Sequence, residues 1–274
     1  MPRRSDRRTF IKAISGAVCA SPFMRATPAA AGERAQASTL RRFAVASDGH
    51  FGQPNTNYVR FHEEMMAWLN EERRGKGLDF VVFNGDLIHN EPELLPQVQE
   101  YYERLEVPYF VTKGNHDMTT ASHWEEVWGY GENHDFEQGD CAFLLGTTSN
   151  VQGDYLCVDV DWLEERLSHY RDKRHIFAFL HISQRKVTRY GVDCLEASSL
   201  LETTPNVAAV FHGHDHDVDG FMYANERAYL FDGHIGGDWG TNYRGYRIVE
   251  IDEEGNVGTY QCNPQAFIVN RAVL

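Results

Sequence analysis

From residue 40 onward the chain repeats one pattern: a short apolar run ends in polar residues, and a stretch with helical spacing often follows. Residues 42–47, 79–83, 109–112, 141–147, 176–180 and 207–211 are such runs, and they predict buried strands. Between them, Phe61, Met65, Met66, Trp68 and Leu69 recur with helical periodicity and predict a helix over residues 58–74. Residues 93–105 and 122–128 predict two more helices. Residues 161–170 predict an amphipathic one, with Trp162, Leu163 and Leu167 on one side. After the last buried run the spacing shortens to hairpin-like segments at 220–224, 228–231, 246–251 and 257–262, with turn residues 252–256 between the last two.

Alternating strands and helices in the first half predict an α/β fold with parallel pairing. The strand-rich end predicts a second, mixed or antiparallel sheet. Apolar residues make up 42% and aromatics 12% of the 274, as an ordinary globular core requires, and we take residues 40–274 as one domain. No apolar run reaches the ~20 residues that a membrane-spanning helix needs.

Charge divides the chain in two. Residues 1–31 carry Arg3, Arg4, Arg7, Arg8, Lys12 and Arg25 against Asp6 alone, whereas the whole chain has a formal net charge of −14, so the remainder carries about −19. An acidic body repels polyanions, which argues against a large nucleic-acid footprint. In the basic segment, Arg7-Arg8-Thr9-Phe10-Ile11-Lys12 precedes a mildly apolar stretch at 13–23 and the small residues Ala29-Ala30-Ala31. The order resembles a twin-arginine export signal ending at a peptidase site. The resemblance implies removal of residues 1–31, Cys19 with them, and passage through the twin-arginine export machinery to the periplasm, the cell surface or the outside. Four cysteines remain, Cys141, Cys157, Cys194 and Cys262. Their spacing fits no zinc knuckle and leaves disulfides and buried thiols both open.

Five strand-like runs end in His, Asp and Asn: Asp48-Gly49-His50, Gly85-Asp86, Gly114-Asn115-His116-Asp117, His181 and Gly213-His214-Asp215-His216. These are oxygen and imidazole donors, which suit Mn, Fe or Zn. In open α/β sheets the C-terminal strand ends are where ligands bind. Three histidines within 212–216 would repel one another if protonated, and a cation that holds them neutral removes the penalty.

This ordered set resembles the calcineurin-like metallophosphoesterase family. Residues 80–89 and Asp161-Trp162-Leu163-Glu164 look more particularly like its bacterial branch that includes cyclic-nucleotide phosphodiesterases. The resemblance implies a four-layer α/β/β/α sandwich, two mixed sheets flanked by helices, with two metal ions at the strand ends. Carried onto this chain, Asp48, His50 and His216 hold one ion, Asn115, His181 and His214 hold the other, and Asp86 bridges both. A bridging hydroxide attacks phosphorus, His116 assists the leaving group, and Asp117 orients His116. The substrate is then a small phosphate ester, a diester in preference to a monoester. Purple acid phosphatases carry a tyrosine where this chain has His89, which reads as a surface or helix-start histidine in preference to one that faces the cleft. His212 is left between a support for His214 and a core residue. His234 lies in a glycine-rich loop with Trp239 and Tyr243, and the reading is left between a structural hairpin loop and a lining of the substrate pocket where an aromatic face could stack on a base. Rival functions are a nuclease-like member of the family and a non-catalytic exported metal-binding protein of the same fold. Oligomeric state is not encoded in any of these features.

Overall fold

A computed structural model of the protein describes residues 39–266. The expected export signal at residues 1–31 lies outside the described residues, and so does Cys19. Eleven strands and five helices follow one another as β1 (Thr39–Ala46), α1 (Tyr58–Lys76), β2 (Phe80–Asn84), α2 (Leu95–Tyr102), β3 (Tyr109–Thr112), α3 (Ala121–Trp128), β4 (His134–Gln138) and β5 (Cys141–Gly146). Then come α4 (Val160–His169), β6 (His175–Leu180), α5 (Leu195–Thr203), β7 (Val207–His212), β8 (Phe221–Ala224), β9 (Arg227–Phe231), β10 (Tyr246–Asp252) and β11 (Val257–Cys262). No helix among the described residues is long and apolar enough to cross a membrane.

The strands form two mixed sheets, in the orders β11-β10-β1-β2-β3 and β4-β5-β6-β7-β9-β8. Residues of β1 alternate between two apolar surroundings. Phe43 and Val45 join Phe80, Val82, Phe143, Phe177, Phe179 and Phe211 between the sheets. Ala44 and Ala46 face Met65, Leu69, Val98 and Trp124 of α1, α2 and α3. Likewise Ala142, Leu144 and Ala178 of the second sheet meet Leu163 and Leu167 of α4 and Leu201 of α5. A strand with two buried faces reads as a continuous apolar run, which is why these strands were visible in sequence. The packing is the expected four-layer sandwich. Phe43 anchors its centre, stacked on Phe80 at 5.0 Å and edge-on to Phe143 and Phe177 at 5.4 and 5.3 Å.

The structure departs from the sequence pattern in three places. The final strands do not build the second sheet by themselves: β10 returns to the first sheet antiparallel to β1, and β9 runs parallel to β7. The helix expected over residues 93–105 is a 3₁₀ turn, Pro92–Leu94, followed by the shorter α2, with Pro96 in its first turn. Strand β4 and helix α5 had no clear pattern. Phe136 is the one apolar residue of β4, and α5 buries Ser198 while Leu195 is 70% exposed. Of the cysteines, Cys157 and Cys194 form a disulfide with Cα atoms 5.7 Å apart, and Cys141 and Cys262 are free.

Two histidines are core residues. His62 on α1 lies edge-on to Phe51 and bonds Tyr58 O through Nδ1 at 2.8 Å. His212 at the end of β7 bonds Leu180 O at 2.6 Å and stacks on Tyr229. Both Nε2 atoms are buried without a hydrogen-bond partner. Burial pushes each imidazole down to about 4, so the native state keeps both neutral. As pH falls from 6.5 towards 4 the unfolded chain binds protons that the native chain refuses. Stability is therefore full above the unfolded value and declines across that window, by ~1.4 kcal/mol per pH unit for each histidine. In urea unfolding of chelator-treated protein between pH 7 and 4.5, His62→Leu should flatten this decline. An unchanged slope would remove His62 from the account.

Candidate metal centre

Both sheets present the C-terminal ends of their parallel strands at one edge. Asp48 and His50 follow β1, Asp86 follows β2, and Asn115 and His116 follow β3. From the other sheet, His181 follows β6, and His214 and His216 follow β7. The loops are bonded to one another before any ligand enters. Asp48 N donates to Gly85 O (3.0 Å), His50 N to Asp86 O (2.9 Å), and Gly213 N to His181 O (3.1 Å). His214 N donates to the Asp48 carboxylate, 3.0 Å from each oxygen.

This local geometry is strained. Asp48, His50, Asp86 and His214 all adopt left-handed backbone, with φ of 56°, 44°, 50° and 66°. Such residues cost ~1–3 kcal/mol each and persist where the surroundings over-determine them. Two glycines make the crowding possible. A Cβ on Gly85, itself at φ 81°, would strike the His181 ring, and one on Gly114 would strike the Asp86 backbone nitrogen.

Among the described residues, Asp48, His50 and His216 bring donor atoms within 4.8 Å of one another, as do Asp86, His181 and His214. Nε2 of His216 lies 3.1 Å from Asp48 Oδ1, and Nε2 of His181 lies 3.2 Å from Asp86 Oδ2. The two groups adjoin, with His50 Nε2 3.8 Å from Asp86 Oδ2. His181 and His216 engage Asn84 O (2.7 Å) and Trp239 O (3.3 Å) through Nδ1, which leaves Nε2 free to ligate. Asn115 Oδ1 and His214 Nε2 are buried without a hydrogen-bond partner. His50 and His216 bring their Nε2 atoms to 3.0 Å. With the proton on Nδ1, two lone pairs meet there, and a cation beside them relieves the repulsion. The donor set therefore fits metal ions.

Electrostatics agree. Burial opposes ionisation of Asp48 and Asp86, but His216 beside the first and His181 beside the second hold both carboxyls below the usual range. Burial also disfavours charge on His181, yet Asp86 and Asp48 raise it to about 10. His216 is raised too, by Asp48 against burial. Burial dominates at His214, lowered to about 4, and at His50.

The structure places His116 beside this set and corrects two expectations. Asp117 does not orient it. The Asp117 carboxylate is taken up by the amides of Leu87 (2.8 Å), Ile88 (3.1 Å) and Gly114 (2.7 Å), so it braces the loops that carry Asp86 and Asn115. The ring partner of His116 is Asn90, whose Oδ1 lies 2.7 Å from Nδ1. His89 is no ordinary helix-start residue: its Nδ1 lies 3.0 Å from His50 Nδ1, and its ring stacks on His116 at 4.9 Å. Its position on the Asp86 loop was the available signal. In the later loop, His234 is buried, bonded to Gly236 O and Thr241 O, and stacked on His216. Tyr243 is buried against Asp219. Trp239 alone of the three lines the cleft, stacked on His216 at 4.4 Å.

The cleft above the donors has a volume of about 370 Å³, and its walls include Asp215 of the strand-end motif together with Tyr155, Tyr190 and Asp217, which the sequence did not single out. A larger open groove of about 760 Å³ lies between α4 and α5, away from these donors, with Arg185 and Glu202 paired in it.

Residues 41–218 match the family described as calcineurin-like phosphoesterase. Over 152 residues the chain is 27% identical to a 3',5'-cyclic-nucleotide phosphodiesterase of Nostoc sp., a match covering 51% of this chain and 56% of that relative. The chain thus spans little more than half the length of that protein. Among solved structures, a dimetal phosphatase from Danio rerio is similar with a TM-score of 0.64, at 12% identity, over 82% of this chain and 99% of that one. The calcineurin-like phosphoesterase YfkN from Bacillus subtilis is similar with a TM-score of 0.52, at 11% identity, over 84% and 92%. At these identities the structures speak for the fold.

A ligating His181 must give up the proton that Asp86 and Asp48 hold on it. Adding Mn²⁺ or Zn²⁺ to chelator-treated protein at pH 7 should release at least ~1 proton, and affinity should weaken as pH falls. Calorimetric titration in buffers of different ionisation enthalpy reads this directly, and a proton count of zero would contradict it.

Proposed function

The chain belongs to the calcineurin-like phosphoesterase family, and on that premise we propose that it is an exported, metal-dependent hydrolase of phosphate esters that prefers small diesters. The observation that carries the proposal is the convergence of two adjoining donor groups on one buried point. Asp48, His50 and His216 would hold one ion, Asn115, His181 and His214 the other, and Asp86 both. Nitrogen and oxygen donors without thiolate suit Mn, Fe or Zn. When bound, such a pair of ions makes a nucleophile available near neutral pH and neutralises the phosphoryl oxygens.

The chain's own residues do the rest. Asn90 accepts from His116 Nδ1 at 2.7 Å and fixes the ring, while the stacked His89 fixes its plane. His116 Nε2 can then deliver a proton to the departing ester oxygen. The His116 amide bonds Asp86 Oδ1 at 2.7 Å, which ties this donor to the bridging carboxylate. Asp215 and Asp217 line the cleft, and no lysine or arginine does. Like charge disfavours a dianionic monoester more than a monoanionic diester. The same acidity, with a net charge of −14, argues against a nuclease. Export is proposed from Arg7-Arg8 and the small residues that follow, and the Cys157–Cys194 disulfide supports an oxidising destination.

Metal-reconstituted protein should hydrolyse bis(p-nitrophenyl) phosphate faster than p-nitrophenyl phosphate, and a chelator should abolish both rates. His116→Ala should lower kcat on a diester with an alkoxide leaving group by ~10²–10⁴-fold while metal content stays intact. Equal rates for variant and parent on that substrate would refute the acid role. Residues 1–31 fused to a reporter should direct it out of the cytoplasm, and Arg7→Lys with Arg8→Lys should retain it inside.

A further inference from the structure

Resting on the diester reading above, a second feature of the cleft bears on which diesters it takes. Tyr155, Tyr190 and Trp239 are 42%, 44% and 42% exposed, and each ring touches a donor histidine, the tyrosines the half-buried His214 and Trp239 the buried His216. Tyr155 meets His214 edge-on at 4.7 Å and Tyr190 does so at 6.0 Å. The ring neighbours of His116 are different, namely His50, His89 and Trp239. The tyrosines therefore border the His214 side of the cleft, away from the group that protonates the leaving oxygen.

This wall is built with care for its position. Tyr155 lies in the loop after β5, and Tyr190 lies in the loop after β6. The Cys157–Cys194 disulfide joins these two loops. Gln184, fully buried, bonds across them, accepting from Val158 N at 2.7 Å and donating to Leu156 O. Cys194 N donates to Gln184 O at 3.0 Å, and Thr188 Oγ1 donates to Asp215 Oδ2 at 2.8 Å. Arg189 lies over the Tyr190 ring at 5.2 Å. Rigid aromatic rings held partly in solvent beside a reaction centre lose little entropy when a flat group stacks on them.

We propose that Tyr155 and Tyr190 form a disulfide-held wall that selects diesters whose non-departing ester group carries a flat aromatic ring. A phenyl ester and a nucleoside ester share that chemistry. An alkyl group offers the rings much less surface.

Three diesters with the same p-nitrophenolate leaving group test this on metal-loaded protein: methyl, phenyl and thymidine-5' p-nitrophenyl phosphates. Wild type should favour a ring-bearing ester over the methyl ester by roughly tenfold or more in kcat/KM, mostly through KM. Preference for both ring esters means that any flat group serves, and preference for one identifies its source. Tyr155→Leu with Tyr190→Leu should erase most of the preference at unchanged metal content, and the double Phe variant should keep it. Cys157→Ser with Cys194→Ser should raise KM for the favoured ring ester more than it lowers kcat. Should that variant fail to fold, the tyrosine variants still decide. If wild type shows no preference over methyl, or the Leu variants keep it, the wall does not select. If no diester is hydrolysed at all, the phosphoesterase reading itself fails.

Discussion

Everything at this site depends on holding mutually repelling donors at one buried point. Imidazole nitrogens and carboxylate oxygens from five loops crowd together where water cannot screen them, and the nitrogens of His50 and His216 come within 3.0 Å. Such a set is stable as protein alone only if protons intervene, and His181 shows the consequence in its raised affinity for a proton. The fold holds the set by making the loops satisfy one another: backbone amides of one loop bond carbonyls and carboxylates of the next. Left-handed backbone at four donor residues is the local cost.

Much of this arrangement could be read from the residues. Strands buried on both faces announce themselves as apolar runs, and the donor motifs stand where those runs stop. The reading stopped short where burial is one-sided or absent. Strand β4 offers a single Phe136, and α5 exposes Leu195, so neither has a period to detect. Pairing across the chain was out of reach as well, because nothing local in residues 246–252 says that they will lie beside β1 rather than beside β9.

Roles were harder to read than positions. Asp117 adjoins His116 in sequence, yet the turn sends its carboxylate to three amides and leaves Asn90 to hold the ring. His89 had no strand-end motif of its own and reaches the site because the Asp86 loop folds back over His50. Tyr155 and Tyr190 lie in loops without periodicity, 35 residues apart, and it takes the disulfide, Gln184 and the bond from Ile182 N to Thr148 Oγ1 to show that the two loops act as one surface.

The return of β10 to the first sheet sets an order on the making of the molecule. Strand β1 is the first described element to leave the ribosome, and one of its edges stays unpaired until the chain has been synthesised to residue 252. The bridge between Ser47 and His234 closes only slightly earlier. The pairing of residues 41–45 with 247–251 spans most of the domain, and long-range pairing of this kind is slow by nature. A chain halted before β10 has already made Asp48, His50, His214 and His216 but lacks the strand that closes the sheet behind them. Every donor residue is thus synthesised before the sheet that carries Asp48, His50, Asp86 and Asn115 is complete.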